Sequence, residues 1–231
     1  MLFEQNINQI YNEIGKNAGL KYTVELKPYA RFKMGFNAKH NGDVYILSSD
    51  YIKFAKAETI MNLAERTTKH MKDKKVEICD SMFLEDFSSP NVYKNIRPLW
   101  ASRCHGIIPR PKGAFFDLNE LYKELLDDAD IVKRGEFKSV NDVMFAWKHY
   151  KIGGKQIKFA EAHPTPRAIT VNKQLDNPNV SRDVMKYLLY HELLHIDQGI
   201  FNAGHDPEFR RKEAKYPNAC ELEKFYKGYR C

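Results

Sequence analysis

Apolar residues at the start of the chain fall at Leu2, Phe3, Ile7, Ile10, Tyr11 and Ile14. This is the i, i+3, i+4, i+7 rhythm of an amphipathic helix within residues 1–20, with Gly15 or Gly19 as its stop. Val24-Glu25-Leu26 and Phe32-Lys33-Met34 alternate as strands do. Asn41-Gly42-Asp43 signals a turn, and residues 43–47 read as a further strand. The spacing then predicts a helix from Lys56 to Met71, with Ile60, Leu63, Ala64 and Thr67 facing inward.

A second series follows. A helix begins at Asp117, with Leu118, Leu121, Tyr122, Leu125 and Leu126 at helical spacing. Residues 139–150 fit a strand or a short helix. Gly153-Gly154 marks a turn, and residues 156–159 and 168–171 alternate as strands. Pro178 precedes a helix from Ser181 to Gln198, with Ser181 as N-cap, Asp183 in the first turn and Gly199 as stop. An offset of 125 residues lays Val44 and Ile46 on Ile169 and Val171, and Ile60, Leu63 and His70 on Met185, Leu188 and His195. An old duplication is one reading; chance agreement between any two strand–helix pairs is the other. The expected fold class is α+β. Residues 1–90 form a basic N-terminal domain, 91–113 a basic proline-containing linker and 114–231 a second domain.

Composition narrows the function classes. Of 231 residues, 43% are hydrophobic and 29% charged, enough apolar material for real cores. No apolar run approaches the ~20 residues of a membrane span, and the polar N-terminus does not read as a signal peptide. The expected setting is the cytoplasm, with no membrane partner. Four scattered cysteines suit reduced thiols and exclude a zinc ribbon, which needs two close pairs. The net charge of +7 is uneven: residues 1–115 hold 18 Lys and Arg against 12 Asp and Glu, residues 116–231 hold 19 against 18. No acidic residue lies between Asp86 and Asp117, where Lys94, Arg97, Arg103, Arg110 and Lys112 interleave with Tyr93, Trp100, Pro98, Pro109 and Pro111. DNA held by this basic half and linker is one candidate partner; a solvated basic surface or a packed connecting loop is the alternative.

The segment with chemistry in it is His191-Glu192-Leu193-Leu194-His195, an HExxH pattern inside the helix expected at 181–198. Random placement of 8 histidines and 16 glutamates in 231 residues gives roughly 0.02 such matches. Residues four apart on a helix lie ~400° apart, so both imidazoles leave nearly one face and can reach one zinc ion. Glu192, next to the first ligand, is placed to take a proton rather than to bind metal. Val184 and Leu188 continue the stripe into a core. A third ligand is needed, and His205 stands just before Asp206-Pro207, an N-cap and first helical residue. Glu208 and Glu213 on that following helix are the competing ligands. The metzincin spacing is not met, because Gln198 and Phe201 occupy its Gly and His positions. His40, His70, His105, His149 and His163 have no such context. Imidazole ligands suit zinc best, although nickel, cobalt or manganese can load the same set.

Val171-Asn172-Lys173-x-Leu175, Pro178, Tyr190 with the HExxH, His205-x-x-x-Phe209-Arg210 and Tyr216-Pro217 together resemble the SprT-like metallopeptidase family. The resemblance covers roughly residues 115–225. It implies a zincin-like domain, with a small sheet and an HExxH helix. It implies one zinc ion on His191, His195 and His205, and peptide hydrolysis by a metal-bound water with Glu192 as general base. Tyr190, Arg210 and Tyr216 are candidate transition-state or substrate contacts. The strand at 169–171 is the candidate edge for an extended protein or peptide substrate. Some relatives cleave proteins crosslinked to DNA, and some carry a zinc ribbon that this chain lacks. Residues 1–90 depart from the family domain. As a duplicate they would place Arg66-Thr67-Thr68-Lys69-His70 in the HExxH slot, a copy without catalysis. The rival readings are a nucleic-acid-binding protein with a structural or weakly active zinc site, and a metal-dependent hydrolase of another bond.

Overall fold

A computed structural model describes residues 2–150, 157–200 and 204–228. The chain folds as two compact units, Met1–Arg103 and Cys104–Cys231. Both are α+β.

The first unit begins with helix α1 (Leu2–Lys16), followed by strands β1 (Lys21–Lys27), β2 (Met34–Ala38) and β3 (Asp43–Ser49). Helices α2 (Ala57–Lys72), α3 (Ser81–Phe87) and α4 (Pro90–Arg103) complete it. The sheet order is β1-β3-β2, with β1 parallel and β2 antiparallel to β3. Alternation puts Tyr22, Val24, Val44 and Ile46 on the buried face. Ile7 and Tyr11 of α1 and Ile60, Leu63 and Ala64 of α2 are buried with them. The open edge of β1 is closed by side chains of α1. Asn8 exchanges two hydrogen bonds with the backbone of Val24 (2.7 and 2.9 Å), and Asn12 does the same with Tyr22 (both 2.9 Å). Glu4 accepts from the Leu26 N–H at 3.0 Å. Positions four apart on one helix face thus take the place of a neighbouring strand.

In the second unit, β4 (Ile107–Ile108) precedes α5 (Leu118–Asp127), α6 (Ala129–Gly135) and β5 (Met144–Lys148). Then come β6 (Ala160–His163), β7 (Ala168–Asn172), α7 (Arg182–Gln198), α8 (Pro207–Glu213) and α9 (Ala219–Gly228). The sheet order is β4-β5-β7-β6; β5 and β7 are parallel, and β4 and β6 run antiparallel to their neighbours. Phe145, Trp147, Ile169 and Val171 form one core with Leu121 and Leu125 of α5 and Met185, Leu189 and Leu193 of α7. Ser181 caps α7 by accepting from the Val184 N–H, and Gly199 ends it at φ 87°, a conformation that favours glycine. The loop after β7 is locked by Asp176, whose carboxylate accepts from the N–H groups of Ala114, Phe115 and Phe116 at 2.6–3.0 Å and pairs with Lys173. A Cβ on Gly113 would fall 2.3 Å from that carboxylate, so the close approach requires glycine there.

Several expectations change. Residues 91–113 are not a linker. Residues 91–103 belong to α4, which buries Val92, Tyr93, Ile96 and Trp100, and Ile107–Ile108 pairs with β5. The prolines and basic residues hide a helical stripe of large apolar side chains. Arg103 makes two hydrogen bonds to Asp50 (2.7 and 2.6 Å) and lies over the Tyr51 ring, so its charge is engaged within the unit. Strand 169–171 is not an edge: β7 lies between β5 and β6, and all five of its residues are buried. The edge is β6. Of the strand expected at 156–159, Gln156 lies outside the described residues, and the observed strand is 160–163. The turn at Gly153-Gly154 also lies outside them. Residues 144–148 of the undecided 139–150 stretch are strand, and the strand expected at 32–34 is found at 34–38. No helix among the described residues is long and apolar enough to cross a membrane.

Candidate metal centre

Helix α7 presents His191 and His195 one turn apart, with ring centroids 5.1 Å apart. His205 arrives from the segment before α8. Its position is fixed because Asp206 caps α8, accepting from the Phe209 N–H at 2.7 Å, and Pro207 opens the helix. The three rings converge: His205 Nε2 lies 3.0 Å from His195 Nε2 and 3.2 Å from His191 Nε2. Nitrogen donors about 2.05 Å from one tetrahedral ion stand about 3.3 Å apart, so this donor set fits a zinc-like cation. Among the described residues it is the one such cluster. Buried Phe209 packs against all three rings, with centroids 4.5–5.0 Å away. Of the competing third ligands, Glu208 is paired with Arg211.

Glu213 has a different place. Its Oε1 lies 2.6 Å from His191 Nδ1, and its Oε2 accepts from Arg210 Nη1 at 2.6 Å. Burial alone would raise the Glu213 carboxyl; His191 and Arg210 outweigh it and hold the group at about 2. An ionised carboxylate can only accept, so His191 Nδ1 carries the hydrogen and the Nε2 lone pair is left facing the other rings. His195 is driven down to about 4 by burial, with the neighbouring His191 and His205 adding to it. His205 is lowered by burial first, then by His191 and Arg210. Neutral imidazoles are the form that binds a metal.

Glu192 is buried behind this cluster at 6% exposure. Burial raises its pKa, against the opposing pull of His191 and of the Ala162 backbone on β6. The HExxH helix packs against this edge strand. The Ala162 contact and the role of Glu213 were not foreseen from sequence.

The three candidate transition-state contacts separate. Tyr190 follows Leu189 into the core, because consecutive residues on a helix are turned by ~100°. Its hydroxyl donates to the Lys212 carbonyl at 2.8 Å, and its ring packs on Phe137 and Tyr216. Tyr216 is also buried, against Tyr187 and Tyr190, and burial pushes its hydroxyl up to about 12. Arg210 keeps half of its side chain exposed and acts electrostatically on His205. The structure therefore brings Glu192, His191, His195, His205 and Arg210 together and holds the two tyrosines in the packing beneath. No known family model, curated protein or solved structure matches the chain.

Proposed function

We propose that the C-terminal unit is a zinc-dependent metallopeptidase of the SprT-like kind. The observation that carries this reading is the convergence of three Nε2 atoms, 3.0–3.2 Å apart, beside the buried carboxylate of Glu192. His191, His195 and His205 would hold the ion. When bound, zinc supplies Lewis acidity, which polarises a carbonyl and brings the pKa of a water towards ~7. Glu192 accepts a proton at its carboxylate and returns it to the leaving amine nitrogen; its raised pKa suits both transfers. Glu213 keeps His191 in one tautomer and orientation. Arg210 offers a guanidinium near His205 to a carbonyl oxygen that gains negative charge. Strand β6 is one of the two antiparallel edges of its sheet and packs against the HExxH helix, with the Ala162 backbone near Glu192. An extended polypeptide laid along that edge would bring its backbone to the histidines with little sequence preference. Proteins associated with DNA remain a candidate substrate class.

The test is the zinc content and peptide hydrolysis of wild type beside Glu192→Gln. The expected result is about one zinc per chain in both, with turnover reduced at least ~10²-fold in the variant. Turnover that survives in Glu192→Gln, or wild type that holds no zinc after dialysis, overturns the reading. Ester and nucleic-acid substrates in the same panel separate a peptidase from another hydrolase.

A further inference from the structure

We infer that the N-terminal unit is a metal-free copy of the C-terminal unit, in which the guanidinium of Arg66 takes the place of the metal. The inference rests on the reading of His191, His195 and His205 as a metal site. The two units share an order of elements. Helix α1, strands β1 to β3, a 3-10 turn, α2 and α3 follow one another as α5, β5 to β7, a 3-10 turn, α7 and α8 do. The sheets agree in connectivity as well. In each, the first strand of the trio is parallel to the third, and the second is the antiparallel edge on the third strand's other side. The extra elements of the second unit are β4 and α6.

Register strengthens the match. An offset of 125 residues carries Ala57–Lys72 onto the first sixteen residues of Arg182–Gln198, and carries Asp43 to Ala168, the first residues of β3 and β7. Tyr22 and Val24 pair with Val44 and Ile46, as Phe145 and Trp147 pair with Ile169 and Val171. Asp80 caps α3 by accepting from the Phe83 N–H, as Asp206 caps α8 by accepting from the Phe209 N–H. Chance agreement between two strand–helix pairs would not reproduce an edge strand, a cap and a connectivity together.

With the units aligned, the changes in the site form a set. Arg66 stands at the place of His191, Thr67 at that of Glu192, and His70 at that of His195. Thr67 is buried and its hydroxyl donates to the Leu63 carbonyl, so no proton acceptor replaces the glutamate. Arg66 donates through Nε to the Glu77 carbonyl at 2.7 Å, and its Nη1 lies 3.6 Å from Asp80 Oδ2. Asn62 donates to that same oxygen at 2.8 Å. His70 Nδ1 meets the Val76 carbonyl at 2.8 Å. In the C-terminal unit a cation would join α7 to the segment before α8. In the N-terminal unit a fixed side-chain cation joins α2 to the segment before α3. The N-terminal unit is therefore non-hydrolytic.

The experiment uses the full chain and cobalt(II) as the probe, with metal counted after dialysis and its visible absorption recorded. Wild type should hold about one cobalt per chain. Arg66→His puts a second imidazole one turn from His70, beside Cys79 and Asp80, and should raise the count to about two. Adding His70→Ala should remove the second ion alone. Wild type without cobalt defeats the proposed peptidase site. Wild type with one, and a folded Arg66→His chain with no second ion, overturns the inference. Should Arg66→His not fold, Arg66→Met is the second test. It should raise hydrogen exchange at residues 77–83 at least tenfold with the cobalt count unchanged, and unchanged exchange overturns the cation's role.

Discussion

At the scale of single residues, the centre depends on a carboxylate that binds no metal. Glu213 fixes the tautomer of His191, and it in turn is fixed by Arg210. Glu213→Ala should leave the fold intact and weaken zinc affinity about 10–100-fold, read by competition with a chelator. Affinity equal to wild type would sink that role. The reason this was illegible in sequence is directional. Spacing brings Glu213 near the histidines, which made it a candidate ligand, but which imidazole nitrogen it meets depends on the path from α7 to α8. His205 was legible because Asp206-Pro207 announces a helix start right after it. Asp176 is a second residue whose worth lies in what it accepts. Lys173 and the three N–H groups hold its carboxyl below the usual range, although burial alone would raise it. The folded state then binds fewer protons than the unfolded chain, whose Asp titrates near ~3.9. The stabilisation is fully present above about pH 4 and is lost as pH falls through the lowered value. Asp176→Ala should cost about 2–3 kcal/mol at neutral pH and flatten this acid limb in denaturant titrations.

At the scale of elements, α1 guards a strand edge. Asn8 and Asn12 give the backbone of β1 four hydrogen bonds that a neighbouring strand would otherwise give. Asn8→Ala leaves a backbone N–H and a carbonyl of Val24 without these partners and should destabilise the first unit by about 1–3 kcal/mol. Replacement by Leu, which keeps bulk and helix propensity, should do the same. A loss under about 0.5 kcal/mol in urea melts would show that water serves these groups equally well. Helices α1, α2, α5 and α7 were legible because their apolar stripes are long, and α4 was not. The strands were legible where β-branched residues alternate, as in Asp43-Val44-Tyr45-Ile46-Leu47. Ala160-Glu161-Ala162-His163 was misplaced because two alanines give little alternation to see. The edge position of β6 was beyond sequence altogether. Strand order comes from which faces α5 and α7 cover, and no local pattern records it.

At the scale of the whole chain, the division between the units falls after Arg103, inside the 91–113 stretch expected between the domains and thirteen residues beyond the expected end of the first. Basic residues and prolines give this stretch the composition of a loop, while Tyr93, Ile96 and Trp100 carry the helical spacing that decides its structure. The division gives each unit one tryptophan: Trp100 in the first and Trp147 in the second, both fully buried. Trp100→Phe leaves a chain whose fluorescence reports the second unit, and Trp147→Phe one that reports the first. A ligand that binds only the folded state stabilises it by RT ln(1 + [L]/Kd), about 4 kcal/mol at a thousandfold excess over Kd. Zinc on His191, His195 and His205 ties α7 to the segment before α8, both within the second unit. Chelation should therefore shift the unfolding midpoint seen by Trp147 downward and leave the midpoint seen by Trp100 in place. Equal shifts would mean that the metal is shared by, or felt through, both units. A shift confined to Trp100 would mean that the cation sits in the first unit, where Arg66 already supplies one.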